Sequence, residues 1–324
     1  MRKVFVSLVI MAWCSVTIAQ DIAVDPQNPQ DLARQVIHAY QSGHASQIRA
    51  SLPSYVPVLE NALKNQTNDS LIHFALGICN MGQNHGGAAL TNFGVAYQNS
   101  NHDPSVGLLY ALTLKMSRQP LKAYEVDKEM AASHPDNPQI QVNLAALEMT
   151  IQKYDEAVAI LEDLKQNEPA DLAAGDRSAL LLMLGTCYLY LGHHAKAIEA
   201  LEKAESILPN MAVDLTVLGQ AYLKNGDFAK ADATLTRALS INPKIPPALY
   251  YQGICREKSG DTAGAQIDFQ DAYQYGKPRL DDNGENHYLM YLICQKLGKD
   301  DEASAHKADA SKLSVTYEAP WKQK

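Results

Sequence analysis

Cysteine and histidine are the residues of this chain that could most readily do chemistry, since both bind metal ions and cysteine forms disulfides. Cys79, Cys187 and Cys255 recur at one position of a 34-residue repeat, and Cys294 falls one position later. Two repeats separate such residues by on the order of 20 Å, whereas a disulfide needs Cα atoms about 5.5–6 Å apart. We therefore predict buried thiols that act as small hydrophobic residues. Cys255 and Cys294 are the one pair for which a disulfide stays open.

The ten histidines show no metal-ligand spacing. His193 and His194 are adjacent on a predicted turn, and such neighbours do not converge on one ion without further ligands. No His-Glu-x-x-His and no paired Cys-x-x-Cys occurs, and His73 and His287 stand isolated along the chain. The sequence therefore predicts neither a metal site nor a cofactor.

Signatures of catalysis are also missing from the sequence, which has no Gly-rich phosphate loop and no nucleophile elbow. Carboxylates such as Asp155 and Glu156 start predicted helices, where negative charge interacts favourably with the helix dipole. A glycosidase would need two carboxylates that converge on one site. Among the carboxylates of this chain, mainly Glu257 and Glu285 fall at positions expected to face one shared groove. We predict that the chain is not an enzyme.

The composition describes a folded chain with an acidic balance. Of 324 residues, 46% are hydrophobic and 20% are charged, which supplies enough apolar material for a core. The formal net charge is −8, whereas a nucleic-acid binder needs a basic face to neutralise phosphates. We therefore expect no nucleic acid among the partners.

The first nineteen residues are typical of a secretory signal peptide. Arg2 and Lys3 precede an almost uninterrupted apolar stretch from Val4 to Ala19, and small residues precede a cleavage site before Gln20. A membrane span needs about 20 apolar residues, so this stretch is short for an anchor, although a retained anchor stays open. We expect an exported chain, periplasmic or secreted, with no integral membrane span after cleavage.

A 34-residue period runs through most of the remaining sequence. Three consecutive copies between residues 178 and 279 repeat the same residue types: Leu181, Leu215 and Leu249; Gly185, Gly219 and Gly253; Tyr188 and Tyr222; Gly192, Gly226 and Gly260; Ala197, Ala231 and Ala265; Leu201, Leu235 and Phe269. Weaker copies precede them in the same register. This pattern resembles the tetratricopeptide repeat (TPR). The resemblance implies an all-α fold, a right-handed superhelical solenoid of about seven to eight antiparallel helix pairs.

Breaks in the period predict the organisation of the chain. The expected parts are a signal peptide (1–19), an irregular N-terminal helix pair (20–69), a first block of three repeats (70–171), an insertion (172–177), a second block of three repeats (178–279), a degenerate capping repeat (284–317) and a tail (318–324).

By resemblance to the family, the first helix of each pair lines a concave groove. The groove positions hold Phe74, Ile78, Met81, Leu108, Leu112, Met116, Val142, Met149, Leu182, Thr186, Leu189, Tyr190, Thr216, Gln220, Tyr250, Ile254 and Tyr288. Their N-terminal half is strongly apolar, and monomers rarely leave large apolar patches open to water. We expect the groove to hold an apolar segment of another protein, or the chain's own first helix.

The favoured function is a non-enzymatic protein-protein interaction scaffold or adaptor of the periplasm or cell envelope. Its partner would be a protein, bound as a peptide or helical segment. One alternative is a self-assembling structural protein, which forms a homo-oligomer. Another, less favoured, is a carbohydrate-binding or hydrolytic envelope protein.

Overall fold

The structure is a computed structural model that describes residues 28–64, 66–168, 172–280 and 284–313. These ranges contain seventeen α-helices, one short 3₁₀-helix and no strand, which confirms the all-helical prediction. None of the helices in them is both long and apolar enough to cross a membrane. The predicted signal peptide (1–19) and tail (318–324) lie outside the described residues.

The helices follow one another with short connections. Their bounds are α1 Pro29–Gln41, α2 Ala45–Ile48, α3 Leu52–Leu63, α4 Ser70–Gly82, α5 Gly86–Asn99, α6 Pro104–Met116, α7 Pro120–Ser133, α8 Pro138–Thr150, α9 Tyr154–Gln166, α10 Ala174–Tyr190, α11 His194–Ile207, α12 Ala212–Asn225, α13 Phe228–Ile241, α14 Pro246–Ser259, α15 Thr262–Gly276, α16 Gly284–Lys296 and α17 Asp300–Leu313.

The chain forms two compact units, residues 1–147 and 148–324, and the boundary falls within α8. The described part of 20–69 contains three helices, α1–α3, where the sequence analysis expects a pair. Residues 174–177 of the expected insertion form the first turn of α10, which is the longest helix described, at 17 residues.

Aspartate side chains cap several helices at their N-termini. Asp69, Asp103, Asp227 and Asp261 each accept a hydrogen bond from a backbone N–H in the first turn of the helix that follows. Such caps satisfy donors that have no partner within the helix and typically contribute about 1 kcal/mol each. The local sequence therefore sets where these helices begin.

The turn inside each helix pair has one residue with a positive φ angle. These residues are Asn84, Arg118, Gln152, Gly192, Gly226, Gly260 and Gly298. Successive members are 34 residues apart, except for two intervals that are longer by six and by four. The backbone therefore shows the repeat register from α4 to α17, including the copies whose sequence pattern is weak.

Small residues let the two helices of a pair approach closely. A Cβ atom added to Gly219 would lie 2.6 Å from Cγ of Leu235, and one added to Gly253 would lie 2.6 Å from the Phe269 ring. Both partners are at most 5% exposed. The Gly residues of the repeat pattern are therefore contact points between helices, and their large partners fill the space between them.

Neighbouring pairs of the second unit are joined by hydrogen bonds between tyrosine and glutamate. The Tyr188 hydroxyl donates to Glu162 over 2.7 Å, and the Tyr222 hydroxyl donates to Glu202. The two tyrosines occupy the same repeat position. Because each bond links one helix pair to the next, it helps to fix how successive repeats stack.

A buried carboxyl interrupts the core of the first unit. Asp127 of α7 is 0% exposed, and neither of its oxygens has a hydrogen-bond partner among the residues that the structure describes. Burial raises the pKa of this carboxyl to about 7, although the positive charge of Lys115 acts in the opposite direction. The same repeat position holds a large apolar residue in the pairs around it: Phe93, Leu161, Leu201, Leu235 and Phe269.

Candidate functional site

The predicted groove residues differ in how accessible they are. Six are buried: Phe74, Ile78, Leu182, Leu189, Thr216 and Tyr250. Nine are half-buried: Met81, Leu108, Leu112, Val142, Met149, Thr186, Gln220, Ile254 and Tyr288. Met116 and Tyr190 are exposed, at 68% and 48%. Their role in binding stays a prediction, and the accessible members are those that a partner could contact.

The second unit brings two tyrosines from neighbouring helix pairs into a stacked arrangement. The rings of Tyr154 on α9 and Tyr190 on α10 lie 4.8 Å apart between centroids and are nearly parallel, at 5°. Tyr190 is the last residue of α10, and Tyr154 is the first residue of α9. The helix ends therefore position both rings.

Further tyrosines from α14 and α16 share this environment. Burial raises the pKa of Tyr251, and Tyr190, Tyr250 and Tyr288 raise it further. The rings of Tyr250 and Tyr251 lie 5.4 Å apart between centroids, and the effects of Tyr190 and Tyr288 on Tyr251 place these side chains in the same part of the second unit. We call Tyr154, Tyr190, Tyr250, Tyr251 and Tyr288 the tyrosine cluster.

The Tyr190 ring is accessible to solvent and yet surrounded by many protein atoms. Although it is 48% exposed, burial is the largest cause that raises its pKa to about 12. Both observations fit a side chain in a concave surface, where many protein atoms surround the ring and water still reaches it. Glu285 also raises the pKa of Tyr190 and Tyr154, so this carboxylate lies at the cluster.

The chemistry of the tyrosine cluster suits binding. Tyrosine phenols are neutral at physiological pH, and the raised pKa values of Tyr190 and Tyr250 leave them so; each hydroxyl can therefore donate and accept hydrogen bonds. The ring faces are apolar, and their aromatic edges and faces favour specific packing geometries. What these side chains offer a neighbouring molecule is apolar contact area and hydrogen bonds.

Tyr154 and Tyr251 are members of the cluster that the sequence analysis did not select. The family positions used there fall on the first helices of each pair, whereas Tyr154 starts a second helix. One signal was present in the composition, in which 16 tyrosines outnumber five phenylalanines and two tryptophans. The pairing of Tyr154 with Tyr190 depends on how two helix pairs stack.

Cysteines and histidines partly follow the prediction. All four described cysteines are buried free thiols, which confirms their expected burial.

His73 is held by the Asn92 side chain and the Thr67 carbonyl. The expectation that His287 is isolated is wrong, because its Nδ1 lies 3.2 Å from Nδ1 of His306 on the next helix. The folded helix pair brings together residues that are 19 positions apart.

Comparisons with known proteins agree with this architecture. A family model described as tetratricopeptide repeat matches residues 188–252. No curated protein matches the chain. A tetratricopeptide repeat protein from Parabacteroides merdae ATCC 43184 is 16% identical, with a TM-score of 0.57, and the match covers 82% of this chain and 98% of that one. That likeness shows a common fold.

Two other solved structures resemble part of the chain. MamA from Desulfovibrio magneticus RS-1 is 16% identical with a TM-score of 0.46, covering 55% of this chain and 97% of its own. A thermophilic TPR protein from Thermus thermophilus, TTC0263, is 23% identical with a TM-score of 0.42, covering 55% of this chain and 91% of its own. The matched family model shows that residues 188–252 are tetratricopeptide repeats, and the repeat register with the shared fold shows the same helix-pair architecture from α4 to α17.

Proposed function

We propose that this chain is a non-enzymatic scaffold that binds an apolar segment of another protein against the tyrosine cluster. Tetratricopeptide repeats build protein-protein interaction scaffolds. The observation that supports this specific site is the stacked and accessible Tyr190, which is 48% exposed among neighbouring aromatic rings. The proposal places the partner on the second unit.

The chemistry of tyrosine supports a protein partner. Tyrosine is enriched at protein interfaces because its ring provides a large contact area, while its hydroxyl remains able to form a hydrogen bond. Its side chain also loses little conformational entropy when a partner orders it. Aliphatic side chains of the partner would cover the ring faces, and backbone groups would bond to the hydroxyls.

We also propose that the scaffold acts outside the cytoplasm, in the periplasm or as a secreted protein. The support is the sequence pattern of residues 1–19, with two basic residues, an apolar stretch and a small-residue exit. Expression of the full chain and of a variant without residues 1–19, followed by cell fractionation and intact-mass measurement, tests this. Retention of both forms in the cytoplasm at full mass would contradict it.

The binding site can be tested with a displayed peptide library selected on the purified chain. Tyr190→Ala should weaken the selected peptides at least tenfold, because removing a central aromatic anchor commonly costs more than about 1–2 kcal/mol of binding energy. Ile267→Ala is the matched control, since it removes an apolar side chain that is 58% exposed on α15, a second helix.

The peptide selection and a light-scattering measurement together discriminate between the proposed functions. Equal losses with both variants would contradict a site at the tyrosine cluster, provided that circular dichroism shows both to be folded. A mass that rises with concentration in light scattering, and that Tyr190→Ala returns to a monomer, would favour self-assembly through the same rings. Selected peptides rich in aliphatic residues would support the proposed partner class.

A further inference from the structure

The last helix pair of the second unit, α16 and α17, brings together a group of metal-binding atoms. One ligand atom from each of Cys294, Glu302 and His306 lies within 4.8 Å of the other two. Cys294 is buried, whereas Glu302 and His306 are half-buried. The group therefore lies at the edge of the core, where an ion can enter from solvent. We call these three residues the Cys-Glu-His group.

The repeat register shows that two members of this group replace a different contact. The pair just before the last one has Arg256 and Gly264 at their positions, and the two pairs before that have Tyr188 with Lys196, and Tyr222 with Lys230. There the lysine Nζ lies 5.2 and 5.3 Å from the centroid of its tyrosine ring. The last pair has a thiol in place of the ring and a carboxylate in place of the ammonium group. Its two helices therefore face each other with ligand atoms.

The histidines of the last pair also replace other residue types. His287 stands at the position of the buried Leu249, and His306 at the position of Asp268. Nδ1 of His306 lies 3.2 Å from Nδ1 of His287, so each ring has a hydrogen-bonding neighbour. In metal sites such a neighbour fixes the orientation and the tautomer of the ligating imidazole. His287 is therefore placed to act as a positioning residue.

We propose that the Cys-Glu-His group binds one Zn²⁺ ion between α16 and α17. Thiolate, imidazole and carboxylate are the three ligand types that zinc uses in proteins, at about 2.0–2.3 Å. Three protein ligands leave a fourth position for water or for a group from a bound molecule. On binding, the Cys294 thiol loses its proton to solvent, and its sulfur forms the bond to zinc.

Groups around Glu302 affect how strongly the ion binds. One oxygen of Glu302 accepts a hydrogen bond from the Tyr273 hydroxyl over 2.5 Å, and the other accepts from Lys299 over 2.9 Å. Each oxygen keeps a second lone pair, so both bonds orient the carboxylate without blocking it. Lys277 and Lys299 are positive charges that act on Cys294, and they lower the affinity for a divalent cation.

The proposal is tested on the full untagged chain under reducing conditions, with Zn²⁺ delivered in competition with a chromogenic chelator. We expect one ion per chain. Cys294→Ala and His306→Asn should each weaken binding at least tenfold. Cys255→Ala is the matched control, because it removes another buried thiol that lies one repeat earlier, and it should bind zinc as the wild type does.

Spectroscopy and thermal melting identify the ligands independently of affinity. With Co²⁺ in place of Zn²⁺, the wild type should show a thiolate-to-metal charge-transfer band that Cys294→Ala lacks. Zinc should raise the melting temperature of the wild type and of Cys255→Ala, but not that of Cys294→Ala, because an ion that binds only the folded state stabilises it. His287→Ala should weaken binding, and His287→Gln, which can still hydrogen-bond, should restore part of it.

Three results would overturn the proposal. They are a wild type without stoichiometric binding, equal affinity in the wild type and in both ligand variants, and a cobalt spectrum without a thiolate band. Circular dichroism of each variant without metal establishes that it is folded. Since Ala is small and tolerated at buried positions of this fold, Cys294→Ala is expected to pass that check.

Discussion

Two sets of helix pairs have the same backbone arrangement but different residues at its key positions. The earlier set has three pairs, between residues 70 and 166, and the later set has four, between 174 and 313. In the earlier pairs the positive-φ position of the turn holds Asn84, Arg118 and Gln152, and in the later pairs it holds Gly192, Gly226, Gly260 and Gly298. A left-handed conformation costs a non-glycine residue roughly 1–2 kcal/mol. The fold therefore imposes the turn geometry, and only the later pairs use the residue that adopts it at low cost.

The contact between the two helices of a pair also differs between α6/α7 and three later pairs. Three later pairs place Gly185, Gly219 and Gly253 against a large apolar residue. The earlier pair of α6 and α7 has Ala111 at the small position and the buried Asp127 at the large one. Since close packing between helices is a main source of stability in a solenoid, the contact between α6 and α7 is expected to be weaker than the contacts of those three later pairs.

The largest expected effect comes from giving the earlier pair the large apolar residue of the later ones. Asp127→Leu should stabilise the chain by roughly 2–4 kcal/mol at pH 8, because it replaces a buried carboxylate with a side chain suited to this position. The wild-type carboxyl has a folded pKa of about 7 against an ordinary value of 3.8. A raised carboxyl pKa stabilises most at low pH, so wild-type stability should fall as pH rises from about 4 to about 7.

Urea denaturation followed by circular dichroism at several pH values checks this prediction. The gain from Asp127→Leu should therefore be smaller at pH 4 than at pH 8. Asp127→Asn is the control, since it removes the charge without adding apolar volume, and its gain should be smaller but follow the same pH dependence. A gain from Asp127→Leu that does not change with pH would show that the buried charge is unimportant.

The second prediction concerns the close contact within a later helix pair, whose glycine is replaced by the alanine that the pair of α6 and α7 has at the same position. Gly219→Ala should destabilise the chain by about 2 kcal/mol, because the added Cβ would lie 2.6 Å from Cγ of Leu235 and must displace it. Gly87→Ala is the matched control within a helix, since among the described residues no atom beyond its chain neighbours and its own helix backbone lies within 4 Å of its added Cβ. It should leave stability unchanged or raise it by up to about 1 kcal/mol. Similar losses in both variants, measured by urea denaturation, would refute close approach as the cause.

The smallest expected effects concern the turns. Gln152→Gly should stabilise by roughly 0.5 kcal/mol, and Gly226→Ala should destabilise by about 1 kcal/mol, because only the backbone conformation is at stake in the second case. Asn84→Gly should change less than Gln152→Gly, since asparagine tolerates the left-handed region. Midpoints of urea denaturation rank the three. The reverse order for Gln152→Gly and Asn84→Gly would contradict a conformational origin.

The helical fold was predictable from the sequence because its signals are local and repeated. Leu, Gly, Tyr and Ala recur every 34 residues, and aspartates precede several helices as caps. The tyrosine cluster was predictable only in part. Tyr190, Tyr250 and Tyr288 follow from family positions, but Tyr154 joins them because α9 and α10 stack. No spacing along the chain encodes that contact.

The sequence by itself determined the helices of the repeats, their order and the small and large residues that pair them, because each of these depends on neighbours within one repeat. The tertiary structure decided which distant side chains meet. Whether His287 is isolated or lies beside His306, and whether Cys294 faces a carboxylate, depends on the packing of one helix against the next. The repeat pattern therefore specifies the helical scaffold, and the packing of its helices determines which side chains meet on it.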